Sequence, residues 1–291
     1  MTDPAGAPGA TAGPAGSAGR WRSALFVPGD RPELAPKALR RSPDLVVLDL
    51  EDAVPPAGKA AARDAVRASV AELAGRVRVG VRVNPPGSEW FAGDAATVAG
   101  LDGLDVVVVP KLDTPEQRRV VADAVGGRPL VAGLETVRGA LDARLVLEPP
   151  VVACYFGAED YVADLGGVRT PGNAEVAYPR AHVAAAARLA GVPALDMVTI
   201  DLRDHDRFAA EAREARALGY SGKLCIHPDQ VPLAHEAFRP SAEEIAWATD
   251  LLAAFDAAGG RTIGFAGQMV DEVVAARARS ILAAAIDDDD T

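Results

Sequence analysis

Cysteine is scarce in this chain: Cys154 and Cys225 are the only two in 291 residues, and each lies inside an apolar run. That argues against a disulfide framework and for buried reduced thiols of the kind a cytosolic chain carries. Positive charge is in deficit as well, with 30 Lys and Arg against 41 Asp and Glu and a net charge of -11. Nucleic acid is excluded as a general partner, and an anionic ligand has to be held by local Arg, Lys or metal. Histidine is sparse, at 182, 205, 227 and 235, with no HExxH or CxxC spacing, so a zinc site is not indicated. No run is long and apolar enough to span a bilayer, which excludes a membrane partner, and the opening residues lack the basic start and apolar segment of a secretory signal. A cytoplasmic location is expected. The first 20 residues, "MTDPAGAPGATAGPAGSAGR", hold almost no large side chain and read as a tail unable to offset the entropy of ordering. A Gly-rich phosphate loop is also absent: "VPGDRPE" after the first apolar run has one Gly and no GxGxxG, which disfavours an open dinucleotide-binding sheet.

What is present is a large apolar fraction, 49%, beside 24% charged residues, the balance of a chain that buries a substantial core. Short β-branched runs recur: "SALFVPG" (23 to 29), "DLVVLDLED" (44 to 52), "RVRVGVRVN" (76 to 84), "DVVVVPK" (105 to 111), "PLVAGLE" (129 to 135), "VVACYFGAED" (151 to 160), "DMVTI" (196 to 200) and "KLCIHP" (223 to 228). They are nearly continuous rather than alternating, as strands buried on both faces are. Ala-rich segments of helical periodicity separate most of them, including "GKAAARDAVRASVAELAG" (58 to 75), "TPEQRRVVADAV" (114 to 125) with Thr114 as N-cap, "TVRGALDARLVL" (136 to 147), "YPRAHVAAAARLAG" (178 to 191) and "DRFAAEAREARALG" (206 to 219). The alternation predicts an α/β fold, a (β/α)8 TIM barrel, over residues 21 to 240. Two further helical patterns, 241 to 260 and 267 to 285, exceed what a minimal barrel needs. They predict a C-terminal helical extension over 241 to 286, a lid or subunit arm hinged at "TIGFAG", followed by a solvated acidic tail at 287 to 291.

In such barrels the active site lies at the C-terminal ends of the strands. Those ends carry Asp49, Glu51 and Asp52, then Arg82 and Asn84, then Lys111, Glu135, the pair Glu159 and Asp160, and His227. A single acid after a strand usually caps a helix or faces solvent. Charge at so many strand ends together indicates a pocket mouth. Carboxylates gathered there repel one another unless a cation neutralises them, so Glu135 and Asp160 on successive strands read as ligands of a hard divalent ion such as magnesium. The planar fork of Arg82 suits a substrate carboxylate or enolate oxygen, with an ion pair to Glu51 or Asp52 as the alternative. Lys111, the lysine at a strand end, leaves Schiff-base aldolase chemistry open as a weaker reading.

The segments "RSALFVPGDRPELAPKA", "VVLDLEDAVPPAGKAAAR", "VRVN", "VVVPKLDTPEQ", "LETVRGAL", "FGAEDYVADLGG" and "GKLCIHPDQV" resemble, in colinear order from about 22 to 285, the HpcH/HpaI aldolase and citrate lyase β-subunit family of CoA ester lyases. The resemblance implies a barrel that uses magnesium, or manganese in its place, to cleave or form a carbon–carbon bond between a 2-oxo acid and the enolate of an acyl-CoA thioester. By motif match, Glu135 and Asp160 would bind the metal, Arg82 would hold the oxo acid, and Glu51 and Asp52 would support Arg82 and the metal's waters. Asp271, in the segment similar to the family's C-terminal lid, would be the acid that reaches a neighbouring subunit's site in a homotrimer or dimer of trimers. For the CoA pyrophosphate, Arg22, Arg31, Lys37 and Arg40 near the first strand are the candidates. Hydrolysis by the same site, as in malate synthesis or a malyl-CoA thioesterase, and a non-catalytic barrel subunit are the alternatives to the lyase reading.

Overall fold

The computed structural model describes residues 20 to 289, with backbone only for 287 to 289, so the tail predicted over 1 to 20 lies outside the described residues apart from Arg20. Eight parallel strands close into a barrel in sequence order: β1 (Ser23–Pro28), β2 (Leu45–Asp49), β3 (Arg78–Arg82), β4 (Val106–Val109), β5 (Leu130–Leu134), β6 (Val151–Phe156), β7 (Ala194–Asp196) and β8 (Gly222–Cys225), with β8 pairing back onto β1. Around them in chain order run α1 (Ala35–Ala38), α2 (Lys59–Leu73), α3 (Phe91–Ala99), α4 (Pro115–Ala124), α5 (Val137–Leu141), α6 (Ala143–Val146), α7 (Ala158–Leu165), α8 (Ala177–Ala190), α9 (His205–Leu218) and α10 (Gln230–Phe238). The fold is the predicted (β/α)8 barrel. None of the described helices is long and apolar enough to cross a membrane.

Two cores follow from the pleat, which sends successive side chains to opposite faces. One set, including Ala24, Leu45, Val47, Val106, Val108, Val131, Ala153, Tyr155, Leu195 and Leu224, fills the barrel interior. The alternate residues, such as Val46, Leu48, Val79 and Val107, pack outward beneath helices that present Ala62, Val66, Val121 and Val183. The interior face of β2 and β3 therefore ends, at the mouth, in Asp49 and Arg82, which stand opposite each other in register.

The structure departs from the expected elements at several places. The strand expected over 196 to 200 ends at Asp196, because the carbonyls beyond it are taken by side chains: Met197 O accepts from Lys223 Nζ and Thr199 O from Gln230 Nε2. The helix expected over 136 to 147 divides at Asp142 into α5 and α6, and α10 was not anticipated. Thr114 does cap α4, accepting from the Gln117 N–H at 3.1 Å, while Gln117 Oε1 reaches one residue beyond the cap to accept from the Asp113 N–H.

Beyond the barrel, α11 (Ala242–Ala257) starts from a capping box formed by Ser241 and Glu244. The "TIGFAG" segment is a β-hairpin rather than a loose hinge: β9 (Ile263–Phe265) pairs antiparallel with β10 (Gln268–Val270) across Ala266 and Gly267, both at positive φ as a tight hairpin turn requires. Then α12 (Glu272–Asp289) follows, so the helix runs through the start of the stretch expected as a separate acidic tail. These elements share their own small core of Ala248, Leu251, Phe255, Val270, Ala275 and Ala278.

Candidate active site

At the barrel mouth, Asp49 holds Arg82 by two parallel bonds, Nε to Oδ1 and Nη2 to Oδ2, both 2.7 Å. Asp49 also accepts from the Glu51 N–H at 2.8 Å and the Ala53 N–H at 3.1 Å, so one buried carboxylate fixes both the guanidinium and the loop after β2. Glu51, buried, approaches Arg82 Nη1 at 2.8 Å through Oε2, although that oxygen lacks a well-angled hydrogen bond. Asp52 is 67% exposed and 3.6 Å from Arg82. The anticipated pairing with Glu51 is therefore present, and Asp52 contributes at longer range. The main partner is Asp49, which the strand-end inventory contained without a role. Burial opposes the charge on Arg82, but the adjacent carboxylates, Asp49 foremost, win and hold its pKa well above the usual value. Its guanidinium also lies over the Phe26 ring at 4.9 Å.

Beneath the loop after β2, Lys59 at the start of α2 donates to Leu50 O, Glu51 O and Asn84 Oδ1 at 2.7, 2.7 and 2.8 Å. Its ammonium is satisfied by three fixed acceptors, which pins the backbone that carries Glu51 and Asp52.

Glu135 follows β5 and is 2% exposed, with Oε1 accepting from the Lys111 N–H at 3.0 Å. Gly157 crosses directly over it: a Cβ at 157 would stand 2.5 Å from both Glu135 Cβ and Oε2, so only glycine leaves room for this carboxylate. Burial first, and the Glu51 charge second, push the Glu135 pKa up to about 8. Asp160, in the first turn of α7, lies 3.2 Å through Oδ1 from Lys111 Nζ, which is also 3.0 Å from Glu51 Oε1. Nearby Glu159 pairs with Arg169 at 2.8 Å.

A cavity of about 390 Å³ opens here, lined on its polar side by Asp49, Asp52, Arg82, Glu135, Glu159 and Asp160 and on its apolar side by residues including Phe26, Tyr155, Val198 and Leu224. Tyr155 was missed by the sequence reading. It forms part of the floor, and its buried hydroxyl lies beside Glu135 without a well-angled hydrogen bond. Its one legible signal was parity: Tyr155 falls on the inward face of β6, two residues beyond the interior residue Ala153.

The structure brings Arg82, Glu51, Asp52, Glu135 and Asp160 together and leaves the other candidates elsewhere. Arg22 precedes β1, at the opposite end of the barrel from the mouth, where its backbone and side chain bond Asp44 at 2.7 to 3.1 Å. Its nearness to the first strand in sequence does not place it near the site. Arg31, Lys37 and Arg40 are exposed on the β1 to β2 connection, Arg31 lying 3.9 Å from Glu33, and none of them lines the cavity. Asp271 caps α12, its Oδ1 accepting from the Val273 and Val274 N–H groups, and it does not line this chain's cavity. His227 is half-exposed beside Asp229.

No cluster of three or more metal-ligating side chains exists among the described residues. The donor set nevertheless fits magnesium, which is commonly bound by one or two carboxylates with water and substrate filling the remaining positions. Glu135 and Asp160 both face the cavity, and burial together with the Glu51 charge penalises the ionised Glu135, a cost that a bound cation would offset.

The model of the HpcH/HpaI aldolase/citrate lyase family matches residues 22–228. The chain belongs to that family. It is similar to a citrate lyase subunit beta-like protein of Deinococcus radiodurans, 51% identical over 275 residues covering 90% of this chain and 96% of the relative. More distant HpcH/HpaI relatives are a (3S)-malyl-CoA thioesterase of Cereibacter sphaeroides, 34% identical with 91% and 94% covered, and the mitochondrial citramalyl-CoA lyase of Mus musculus, 32% identical with 90% and 85% covered. Among solved structures, the CitE protein of Mycobacterium tuberculosis in complex with magnesium, acetoacetate and coenzyme A superposes with a TM-score of 0.81 at 37% identity, over 91% of this chain and 97% of that one. As a member of this lyase family, the protein is an enzyme.

Proposed function

We propose that the protein is a magnesium-dependent CoA ester lyase, acting on a malyl-, citramalyl- or citryl-CoA type thioester to give an acyl-CoA and a 2-oxo acid, or joining the two in reverse. The observation that carries this reading is the convergence of Arg82, locked by Asp49, with Glu135 and Asp160 in one cavity. Family membership and relatives that include a citramalyl-CoA lyase support it.

Arg82 binds the oxygens of the oxo acid, and its rigid mounting aims positive charge at the alkoxide oxygen, where negative charge develops when the thioester enolate adds to the carbonyl and from which it leaves in cleavage. Glu51 supports Arg82 at Nη1, the nitrogen Asp49 leaves free, and Asp52 adds negative charge near Nη2 at longer range. Glu135 and Asp160 would hold the magnesium, with manganese as a substitute, and the bound ion would supply Lewis acidity. In cleavage the 3-hydroxyl gives up its proton to water at the open mouth, the alkoxide collapses to the carbonyl of the 2-oxo acid, and the bonding pair passes to the thioester as an enolate, which takes up a proton at its α-carbon. Asp271 of a neighbouring copy delivers that proton, since Asp271 lies on the C-terminal arm and not in its own chain's cavity. A homotrimer, or a dimer of trimers, gives each site its partner's acid. Arg31, Lys37 and Arg40 are the candidates for the CoA phosphates. Buried Cys154 and Cys225 are both free, which suits a cytoplasmic setting.

Incubation with malyl-, methylmalyl-, citramalyl- and citryl-CoA, with magnesium or EDTA, tests the reading by mass spectrometry of the products. Magnesium-dependent release of a 2-oxo acid beside an intact acyl-CoA is the expected result. Release of free CoA favours the second reading, thioester hydrolysis, which the similarity to a malyl-CoA thioesterase supports.

A further inference from the structure

Lys111 touches Glu135, Glu51 and Asp160 and has no part in the proposed chemistry. Its backbone N–H donates to Glu135 Oε1 at 3.0 Å, and its ammonium stands 3.0 Å from Glu51 Oε1 and 3.2 Å from Asp160 Oδ1. The residue has φ of +51°, a left-handed conformation unusual for a lysine, of the kind that persists where the surroundings over-determine it. The strained turn delivers the N–H to one expected ligand and the ammonium to the other.

Asp49, Asp52, Glu135 and Asp160 line a common cavity, Glu51 joins them through Arg82 and Lys111, and Arg82 is committed to Asp49 and Glu51. Without Lys111, Asp160 has no cation within ion-pair distance in this cluster, and Glu51 keeps only Arg82. The ammonium stands between two carboxylates and supplies the positive charge that faces both.

We propose that Lys111 is a resident counter-cation of the acid cluster: a positioning residue that keeps the metal-free site assembled and competes electrostatically with the divalent ion for Asp160. This inference rests on Glu135 and Asp160 being the magnesium ligands. The direction of its effect follows from what a substitution leaves intact. In Lys111→Met the backbone N–H that orients Glu135 remains, and Asp160 is carried by the backbone of α7, so ligand placement survives while a repelling charge is lost. The ammonium and a divalent ion sharing one carboxylate repel each other through a half-exposed site, so the gain in metal affinity is about tenfold at low salt and shrinks as salt screens it.

The test is calorimetric magnesium titration of the full-length wild type, K111M, K111R and D160N, with thermal unfolding of each in EDTA and in magnesium. The inference predicts that K111M binds magnesium about tenfold more tightly than wild type, unfolds at a lower temperature in EDTA and is stabilised more by magnesium, while K111R behaves as wild type. If K111M does not fold, K111Q removes the same charge with a polar side chain. Equal or weaker magnesium binding by the neutral variant overturns the role of Lys111. Failure of the wild type to bind magnesium, or undiminished binding by D160N, overturns the metal assignment beneath it, and the two failures are told apart by the wild-type and D160N titrations.

Discussion

At the scale of single residues the site depends on two mountings, one for a cation and one for an anion. Arg82 is held by both oxygens of Asp49, and a lysine at this position keeps the charge but not the fork. Arg82→Lys is therefore expected to lower kcat/KM roughly a hundredfold or more with the fold retained, measured by steady-state kinetics and circular dichroism. Removing the cation altogether is a different experiment: Arg82→Ala leaves Asp49 and Glu51 buried without it and should cost about 3 to 5 kcal/mol of stability in denaturant titration. The anion's mounting is Gly157. A methyl group there has no room beside Glu135, so Gly157→Ala should displace the carboxylate and weaken magnesium binding roughly tenfold or more by calorimetry, in a protein whose helices and strands are unchanged.

At the scale of elements, β7 and β8 are tied together by buried charge instead of a long ladder. Lys223, wholly inaccessible, donates to Asp196 Oδ2 at 3.0 Å and Met197 O at 2.7 Å, lies 3.5 Å from Glu211, and shares Asp196 with Arg180. Lys223→Met strands Asp196 and Glu211 with less compensation and is expected to lose about 3 to 5 kcal/mol, read as a lower midpoint in urea. Glu211 adds a pH signature. Burial opposes its ionisation, yet Lys223 and hydrogen bonds from Thr199, Arg207 and Asn173 bring its pKa down to about 2. A carboxyl depressed in the folded state binds its proton more readily when unfolded. Its stabilising contribution is thus full above the ordinary glutamate range and is lost as pH falls toward 2. Wild-type stability should fall across that interval, and Glu211→Gln should flatten part of the fall.

These elements also mark what was legible beforehand. Continuous apolar runs ending in charge located the strands and their mouth residues, because burial on both faces and emergence into a polar pocket leave opposite compositions in adjacent positions. Pairings across the barrel were hidden: that Asp49 rather than Asp52 grips Arg82 follows from the register of β2 on β3, and the several contacts of Lys111 join residues distant in sequence. Arg22 was misplaced because nearness to a strand says nothing of which end of the strand is meant. The shortness of β7 was hidden because its missing ladder is replaced by side chains from β8 and α10.

At the scale of the whole molecule, the C-terminal arm has its own core and carries Asp271 outside its own chain's cavity, and the proposed mechanism draws that acid from a second copy. Glu135→Gln and Asp271→Asn are each expected to be inactive alone. Mixed and allowed to exchange subunits, they should recover a measurable part of wild-type activity, because some sites then combine an intact cavity with an intact arm. A monomer in analytical ultracentrifugation, or no recovery on mixing subunits shown to have exchanged, would count against the shared site. Formation of the carbon–carbon bond is the most direct measurement: acetyl-CoA or propionyl-CoA labelled with 13C at the α-carbon is incubated with glyoxylate, pyruvate or oxaloacetate labelled at the carbonyl carbon, with magnesium or EDTA, and followed by NMR. One of these combinations should give a magnesium-dependent pair of coupled carbon signals, absent from Arg82→Lys on the same timescale. No coupled pair from any combination, in a folded oligomer that binds magnesium, would contradict the assignment of this cavity to carbon–carbon bond chemistry.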